Sequence, residues 1–231
     1  MKIFVDNQKV NRRAKLSNII SVGGLMVLLA SVIMPLFVPD WSGLAYILMF
    51  VGMGVSMVGI YFANRWVRKP RPEDSLAGRL KSLDDRYHLY HYPNLPCDHI
   101  LLTPMGIVML EAFNLAGDFS YNQGRWREAM TVGRALRYIV EERIGDPVAS
   151  VRQLEAEMNK LLEKELGPGK IVPIKTVVVF THPAVKLEIR DAPIDICRID
   201  KLKKQIMIST PKLAPEDYEG LSSFLERATL D

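Results

Sequence analysis

Charge is almost absent from residues 16–64 of this 231-residue chain. Between residues 16 and 64 there is no Lys, Arg, Glu or His, and Asp40 is the only charged side chain. An apolar run of about 18 residues can cross a bilayer as a helix, because a helix rises about 1.5 Å per residue and the hydrocarbon core is about 30 Å thick. The sequence therefore predicts two transmembrane helices, at residues 16–38 and 44–64, within a membrane anchor of residues 1–71.

A cleaved signal peptide and a buried hairpin of a soluble protein are the alternatives for these apolar runs. The first run is long for a signal peptide, lacks a small-x-small cleavage site and is followed at once by a second run. Small residues recur four apart at Ser17 and Ser21 and at Gly52 and Ser56, a spacing that lets two membrane helices approach closely. A transmembrane hairpin is therefore the favoured interpretation.

Basic side chains flank the two predicted helices at one end of the hairpin only. Five Lys and Arg precede the first helix and four follow the second, whereas the connection at residues 39–43 contains none. Because Lys and Arg are enriched on the cytoplasmic side, the pattern predicts a multi-pass protein of the cell (inner) membrane with both termini in the cytoplasm. The lipid bilayer is therefore the first expected partner.

The rest of the chain is mildly acidic. Residues 1–71 carry nine basic and two acidic side chains, a net charge of +7, so the +4 of the whole chain leaves −3 for residues 72–231. Such a domain is a poor electrostatic partner for nucleic acid, although a local basic patch is compatible with this total. Cys97 and Cys197 form no CxxC pair, and a cytoplasmic domain is expected to keep both thiols reduced.

Helix and strand patterns alternate along residues 72–231, which predicts one cytoplasmic α/β (α+β) domain. An amphipathic helix at residues 73–83 follows a proline-containing exit from the membrane. Five strands of a meander are predicted at residues 87–92, 99–103, 107–110, 118–121 and 125–127. The later predictions are helices at 131–144 and 148–166, a strand buried on both faces at 177–180, an edge strand at 185–189, and closing helices at 199–208 and 215–228.

The stretch from Asp98 to Gly117 carries the pattern that is most informative about function. Asp98 opens a predicted strand, a Pro-Met-Gly turn follows at residues 104–106, and the next strand ends in Glu111-Ala112-Phe113-Asn114. This order resembles the nuclease-related domain (NERD) family, a branch of the restriction-endonuclease-like superfamily. In that family the second strand ends in Glu-x-Lys-Asn, and a Gly and a later Trp follow.

The resemblance extends beyond this stretch in both directions. Further matching features are Glu73 and its helix, Trp126, Asp146-Pro147, the helix that carries Gln153, and residues 177–183. The resemblance therefore covers residues 72–185, and several separated features agree in order and spacing. It implies a restriction-endonuclease-like domain behind the two transmembrane helices.

The chemistry that the resemblance implies is metal-dependent phosphodiester cleavage. Two carboxylates on adjacent strands would hold a divalent ion, most often Mg²⁺, which prefers hard oxygen ligands and activates a water molecule. By resemblance, Asp98 and Glu111 would be the metal ligands, and Glu73 a third catalytic carboxylate. Phe113 stands at the position of the family's Lys, and its side chain can neither donate a hydrogen bond nor offset charge. No cofactor is therefore expected, or Mg²⁺ if the site is functional.

Taken without the resemblance, the same residues have ordinary structural interpretations. An Asp at the start of a strand is commonly a cap, and a Glu at the end of a strand is usually solvated. The four histidines show no metalloprotease spacing, and the sequence contains no P-loop, nucleophile elbow or dinucleotide-binding fingerprint. Arg125, Trp126 and Arg127 could stack on and pair with nucleic acid, or Trp126 could belong to the core.

Two hypotheses about function follow from these observations. The first is a membrane-anchored, catalytically inactive nuclease-related protein, a scaffold or accessory subunit for a membrane complex at the cytoplasmic face. The alternative is an active Mg²⁺-dependent nuclease tethered to the membrane. Phe113 in place of Lys and the net charge of −3 on residues 72–231 favour the first. The family resemblance also suggests a prokaryotic origin.

Overall fold

The computed structural model describes residues 1–130, 144–167, 169–207 and 211–230. These residues form two compact units, which are described separately. One unit consists of residues 7–71 and contains the apolar hairpin. The other consists of residues 1–6 together with the described residues from 72 onward, and it is an α/β unit.

Two long helices make up the hairpin unit. Helix α1 (Asn7–Phe37) and helix α2 (Ser42–Trp66) are joined by a short 3₁₀ turn at Pro39–Trp41. Both helical segments are long and apolar enough to cross a membrane, and only 11% and 17% of their most apolar windows are buried. A core helix of a soluble protein would be mostly buried, so the exposed apolar surface fits the predicted transmembrane hairpin.

The two helices pack through buried positions that recur every seventh residue, and most of these positions hold Gly, Ala or Ser. The buried positions are Val10, Ser17, Gly24 and Ser31 in α1 and Ala45, Gly52, Gly59 and Trp66 in α2. A Cβ atom at Gly24 would lie 2.6 Å from Ser56 Oγ, and one at Gly59 would lie 2.6 Å from Ser21 Oγ. These contacts leave room only for hydrogen at both glycines, which explains why the helices approach so closely.

A six-stranded mixed sheet forms the centre of the α/β unit, in the order β1-β2-β3-β4-β7-β9. Its strands are β1 (Lys2–Val5), β2 (His88–His91), β3 (His99–Thr103), β4 (Gly106–Phe113), β7 (Ile174–Phe180) and β9 (Asp195–Arg198). Strands β2, β3 and β4 are antiparallel neighbours, whereas β1, β7 and β9 pair in parallel. The predicted strand buried on both faces is confirmed, because consecutive side chains of β7 from Val177 to Phe180 are all fully buried.

The remaining strands form a separate three-stranded sheet in the order β6-β5-β8. They are β5 (Gly117–Asn122), β6 (Arg125–Glu128) and β8 (Val185–Ile189). The predicted hairpin of β5 and β6 and the predicted edge strand β8 are confirmed. The continuous five-stranded meander is wrong, because β4 already pairs with β3 on one side and β7 on the other. Strand β5 therefore has no free edge of β4 to join and starts the second sheet.

Helices of the α/β unit lie where the sequence predicts them, with shifted ends. They are α3 (Pro72–Leu80), α4 (Pro147–Leu166), α5 (Leu202–Gln205) and α6 (Pro215–Leu230). The predicted helix at 199–208 is shorter, since a 3₁₀ turn at Ile199–Lys201 precedes α5. Only residue 144 of the predicted helix at 131–144 lies within the described residues. Residue 208, the last residue of the predicted helix at 199–208, also lies outside them.

Both faces of the large sheet are covered by apolar side chains. On one face, Leu76 and Leu80 of α3 pack against alternate residues of β2, β3 and β4. On the other face, residues of α4 and α6 pack against the intervening positions, such as Tyr90 and Met109. Because side chains alternate along a strand, this packing assigns each candidate site residue to one face.

Strand β1 was not expected from the sequence, which assigned residues 1–71 to the anchor. Lys2–Val5 pairs in parallel with β2, and Phe4 stacks on Tyr90 with ring centroids 4.9 Å apart. One residue separates the end of β1 from the start of α1. The chain segments on both sides of the hairpin therefore belong to the same sheet.

Candidate active site

The register of the central strands brings two of the three predicted carboxylates together. Strand β3 pairs with β4 so that Ile100 lies opposite Met109. Continuing this register by two residues sets Asp98, just before β3, opposite Glu111 of β4. The negative charge of Asp98 raises the pKa of Glu111, which is consistent with this proximity. Both side chains belong to the sheet face that α4 covers.

Helix α4 contributes a hydroxyl group to the Glu111 carboxyl. Asp146 caps this helix, its side chain accepting a hydrogen bond from Val148 N at 3.0 Å, and Pro147 occupies the first turn. One turn further, Ser150 Oγ donates to Glu111 Oε1 at 3.0 Å. The cap therefore fixes the start of α4 where Ser150 can reach the strand.

Burial dominates the protonation behaviour of Glu111. Desolvation raises the pKa of its carboxyl above the ordinary value, the Ser150 hydrogen bond opposes this rise, and the charge of Asp98 adds to it. Glu111 Oε2 is buried and accepts no hydrogen bond from any residue that the structure describes. The second carboxylate oxygen is therefore available to a cation or a proton.

Glu73 occupies a different position from the other two carboxylates. It lies in the first turn of α3, is 5% exposed, and accepts a hydrogen bond from Tyr92 Oη at 2.7 Å. Tyr92 in turn donates its backbone N–H to the carbonyl oxygen of Asp98 at 2.6 Å. Glu73 therefore reaches the site through Tyr92, from the α3 side of the sheet.

The donor set fits a divalent cation only in part. Carboxylate oxygens of Asp98 and Glu111 are the ligand type that Mg²⁺ prefers. Within residues 1–130, 144–167, 169–207 and 211–230, however, no three His, Cys, Asp or Glu side chains form a group that could hold a metal ion. Asp98 and Glu111 are the residues that would hold Mg²⁺, and water would have to supply the remaining ligands.

Phe113 lies two residues beyond Glu111 and therefore points to the same face of β4. Its ring packs against Phe180, the opposite residue on β7, with centroids 6.0 Å apart. It adjoins an apolar cluster that includes Leu115, Phe119 and Val178. The position that holds Lys in the resembled family thus serves packing in this chain.

Trp126 points into this same cluster, which contradicts its interpretation as a platform for nucleic-acid bases. Its ring stacks on Phe119 and Phe180, with centroids 5.7 and 6.1 Å away. Arg125 and Arg127 lie on the opposite, exposed side of β6, as alternation along a strand requires. The three residues therefore cannot act together on one base.

Two buried histidines on the α3 side of the sheet were not singled out from the sequence. His91 of β2 and His99 of β3 lie opposite each other, and their Nδ1 atoms are 2.9 Å apart. Their side chains are 1% and 3% exposed. Two histidines eight residues apart give no local signal in the sequence, because only the strand register pairs them.

Cys97 adjoins the same site without the properties of a nucleophile. Its Sγ donates to the carbonyl oxygen of His99 at 3.3 Å. Burial raises the pKa of this thiol to about 12, and the charges of Asp98 and Glu111 act in the same direction. Burial likewise raises the pKa of Cys197 to about 12. Both are free thiols that stay protonated at neutral pH.

The histidine pair predicts a loss of stability in mild acid. The pKa of His91 is held well below its ordinary value by burial first and by His99 second. Between that low pKa and the unfolded value of about 6.5, the unfolded chain binds a proton that the folded chain does not. We therefore expect the free energy of unfolding to fall as the pH decreases below about 6.5, by at most about 1.4 kcal/mol per pH unit for one such group.

Urea denaturation at a series of pH values checks this expectation. His91→Gln should reduce the slope in this pH range, and His88, whose pKa burial also lowers, should keep a share of it. His182→Gln, at a partly exposed position, should leave the slope unchanged. Equal slopes in the wild type and H91Q would contradict the assignment to His91.

Comparison with known protein families identifies one domain in the chain. The family model of the nuclease-related domain (NERD) matches residues 71–181. No curated protein and no solved structure matches the chain. The matched segment contains α3, the strands β2 to β7 and the carboxylates Glu73, Asp98 and Glu111. The chain therefore carries a nuclease-related domain at residues 71–181, behind two long apolar helices.

Proposed function

We propose that this chain is a membrane-anchored nuclease-related protein that does not cleave phosphodiester bonds. It serves as a scaffold or accessory subunit at the cytoplasmic face of the membrane. The observation that carries the proposal is the packing of Phe113 against Phe180 beside Glu111. The side chain that would position water in an active nuclease is here part of an apolar cluster.

Charge balance at the site supports this proposal. A metal-dependent hydrolase needs an ionised carboxylate pair and a cation or donor that offsets charge developing on the phosphate. In this chain the pKa of Glu111 is raised by burial and by Asp98. An aromatic ring at position 113 supplies no opposing charge. The site therefore lacks the electrostatic support that cleavage would require.

The connection between the hairpin and the sheet supports a topology with both ends on one side of the membrane. Strand β1 precedes α1 in the chain, yet it pairs with β2, which follows α2. If α1 and α2 both span the bilayer, this pairing requires an even number of crossings between Val5 and His88. The basic residues at this end then favour the cytoplasm.

Metal binding and plasmid nicking, measured on the full chain in detergent, test the proposal. With Mg²⁺ or Mn²⁺, we expect the wild-type chain to nick plasmid no more than the Asp98→Ala/Glu111→Ala variant does. The reason is that Phe113 stands where the family has the Lys that positions water. Asp118→Ala/Glu188→Ala is the matched control, since it removes two exposed carboxylates from the second sheet. Calorimetry with each metal ion on the same samples reports binding separately from cleavage.

An active Mg²⁺-dependent nuclease is the second candidate. The observation in its favour is the placement of Asp98 opposite Glu111, whose Oε2 accepts no hydrogen bond from the described residues. Nicking that is lost in D98A/E111A and retained in the D118A/E188A control would overturn the inactive assignment. It would also show that the site tolerates Phe113.

A further inference from the structure

A groove lies on helix α1 just before the apolar run begins. Its lining residues are Asn11, Arg12, Ala14, Lys15 and Asn18, and its volume is about 630 Å³. These residues recur at the spacing of one helix face, and the small side chain of Ala14 leaves space between its longer neighbours. The groove is therefore a recess on one face of α1 that carries two positive charges and is lined largely by apolar side-chain atoms.

The cations of this groove form no ion pair with the described residues of the chain. Arg12 and Lys15 are exposed, and neither forms an ion pair with a residue in the described part of the chain. Between residues 7 and 71 the only acidic side chain is Asp40, which lies in the turn at the other end of the hairpin. Residues 7–71 therefore supply no acidic side chain near the groove to compensate its positive charge.

Arg13, next to Arg12 in the sequence, contacts another side chain of the hairpin. Arg13 lies over the ring of Trp66, with its guanidinium carbon 4.6 Å from the ring centroid. Trp66 is 2% exposed and lies between α1 and α2. Arg13 therefore stabilises the pairing of the helices, whereas Arg12 and Lys15 are exposed.

The depth of the groove matches the headgroup layer of a bilayer. The apolar run begins at residue 16, directly after Lys15. From Asn11 to Asn18 the helix rises about 10 Å at about 1.5 Å per residue. The groove therefore extends from water to the edge of the hydrocarbon, which is where the phosphate and glycerol of a lipid lie.

We propose that this groove binds the headgroup of an anionic phospholipid. Arg12 and Lys15 contact the phosphate oxygens, and the side-chain amides of Asn11 and Asn18 donate hydrogen bonds at its two ends. A phospholipid fits better than a soluble polyanion because the groove ends beside apolar side chains that acyl chains can cover. The inference rests on the proposed membrane anchoring and adds a defined lipid site to it.

Lipid retention by the full chain tests this site. The protein is extracted from vesicles of phosphatidylcholine with about one-tenth phosphatidylglycerol, and the lipid that remains bound is counted by native mass spectrometry. We expect phosphatidylglycerol to be retained over phosphatidylcholine, and Arg12→Gln/Lys15→Gln to lose about tenfold or more of it. Arg68→Gln/Lys69→Gln removes the same charge at the end of α2 and should lose less than about threefold.

The other outcomes separate failure of the site from failure of the anchor. Equal losses in the two double variants would mean diffuse attraction and would overturn the site. Retention of phosphatidylglycerol by R12Q/K15Q would overturn it as well. Resistance of the wild-type chain to alkaline extraction is measured first, because a chain released by alkali would refute the anchoring itself.

Discussion

Replacement of Phe180 by alanine is expected to lower the free energy of unfolding of the α/β unit by about 3–5 kcal/mol, the usual cost of deleting a fully buried aromatic side chain. Phe180 ends the central strand β7 and is fully buried. Its ring centroid lies 5.0 Å from that of Phe119, and the rings of Phe113 and Trp126 also contact it. The substitution would leave a cavity that rigid neighbours on two different sheets cannot fill.

Chemical denaturation of the full chain in a mild detergent, followed by far-ultraviolet circular dichroism, measures this loss. Ile171→Ala is the control, because Ile171 is 91% exposed and its truncation should change stability by less than about 0.5 kcal/mol. If F180A does not fold, Phe180→Leu provides a milder variant with an expected loss of about 1–2 kcal/mol. A loss below about 1 kcal/mol in F180A would contradict the role of this cluster in joining the sheets.

Local patterns in the sequence were sufficient to predict the elements around the candidate site. The apolar run at residues 177–180 indicates a strand covered on both faces, and β7 has this environment. The turn between β3 and β4 fixes their register, which in turn sets Asp98 opposite Glu111. Where neighbouring strands are joined by a short turn, sequence order determines which residues meet.

Pairings between distant segments could not be predicted in the same way. Strand β1 lies more than 80 residues before its partner β2, and four-residue strands carry little signal of their own. Strand β5 pairs with β8 across a large sequence separation, which places it in a second sheet. Trp126 points towards the core because its strand belongs to this second sheet. The sequence alone therefore left open whether Trp126 is a core residue. Phe113 was recognised from its position in the motif, whereas its partner Phe180 depends on the parallel pairing of β4 with β7.

The second large effect concerns the hairpin, where leucine at Gly24 or Gly59 is expected to separate α1 from α2. A Cβ at Gly24 would lie 2.7 Å from the backbone nitrogen of Ser56, and one at Gly59 would lie 2.7 Å from the Cα of Ser21. Because backbone atoms block both positions, rotamer changes cannot relieve the overlap. We expect each substitution to weaken helix pairing by at least about 2 kcal/mol, a factor of about thirty in the pairing equilibrium.

A disulfide between the helices reports this separation. Leu28→Cys with Gly52→Cys provides the reporter, since a Cβ at Gly52 lies 3.0 Å from both the Cγ and the backbone nitrogen of Leu28. The cysteine at position 28 removes the side-chain contact, and the remaining backbone contact has to widen by a few tenths of an ångström. The native thiols interfere little, because burial raises the pKa of Cys97 and of Cys197 to about 12.

Gly23→Leu and Gly54→Leu are the matched controls, as nothing lies within 4 Å of a Cβ at either position. Mass spectrometry of the joined peptides should show cross-linking in the controls and its loss with Gly24→Leu or Gly59→Leu. Equal cross-linking in all four variants would mean that α1 and α2 do not pair through their small residues.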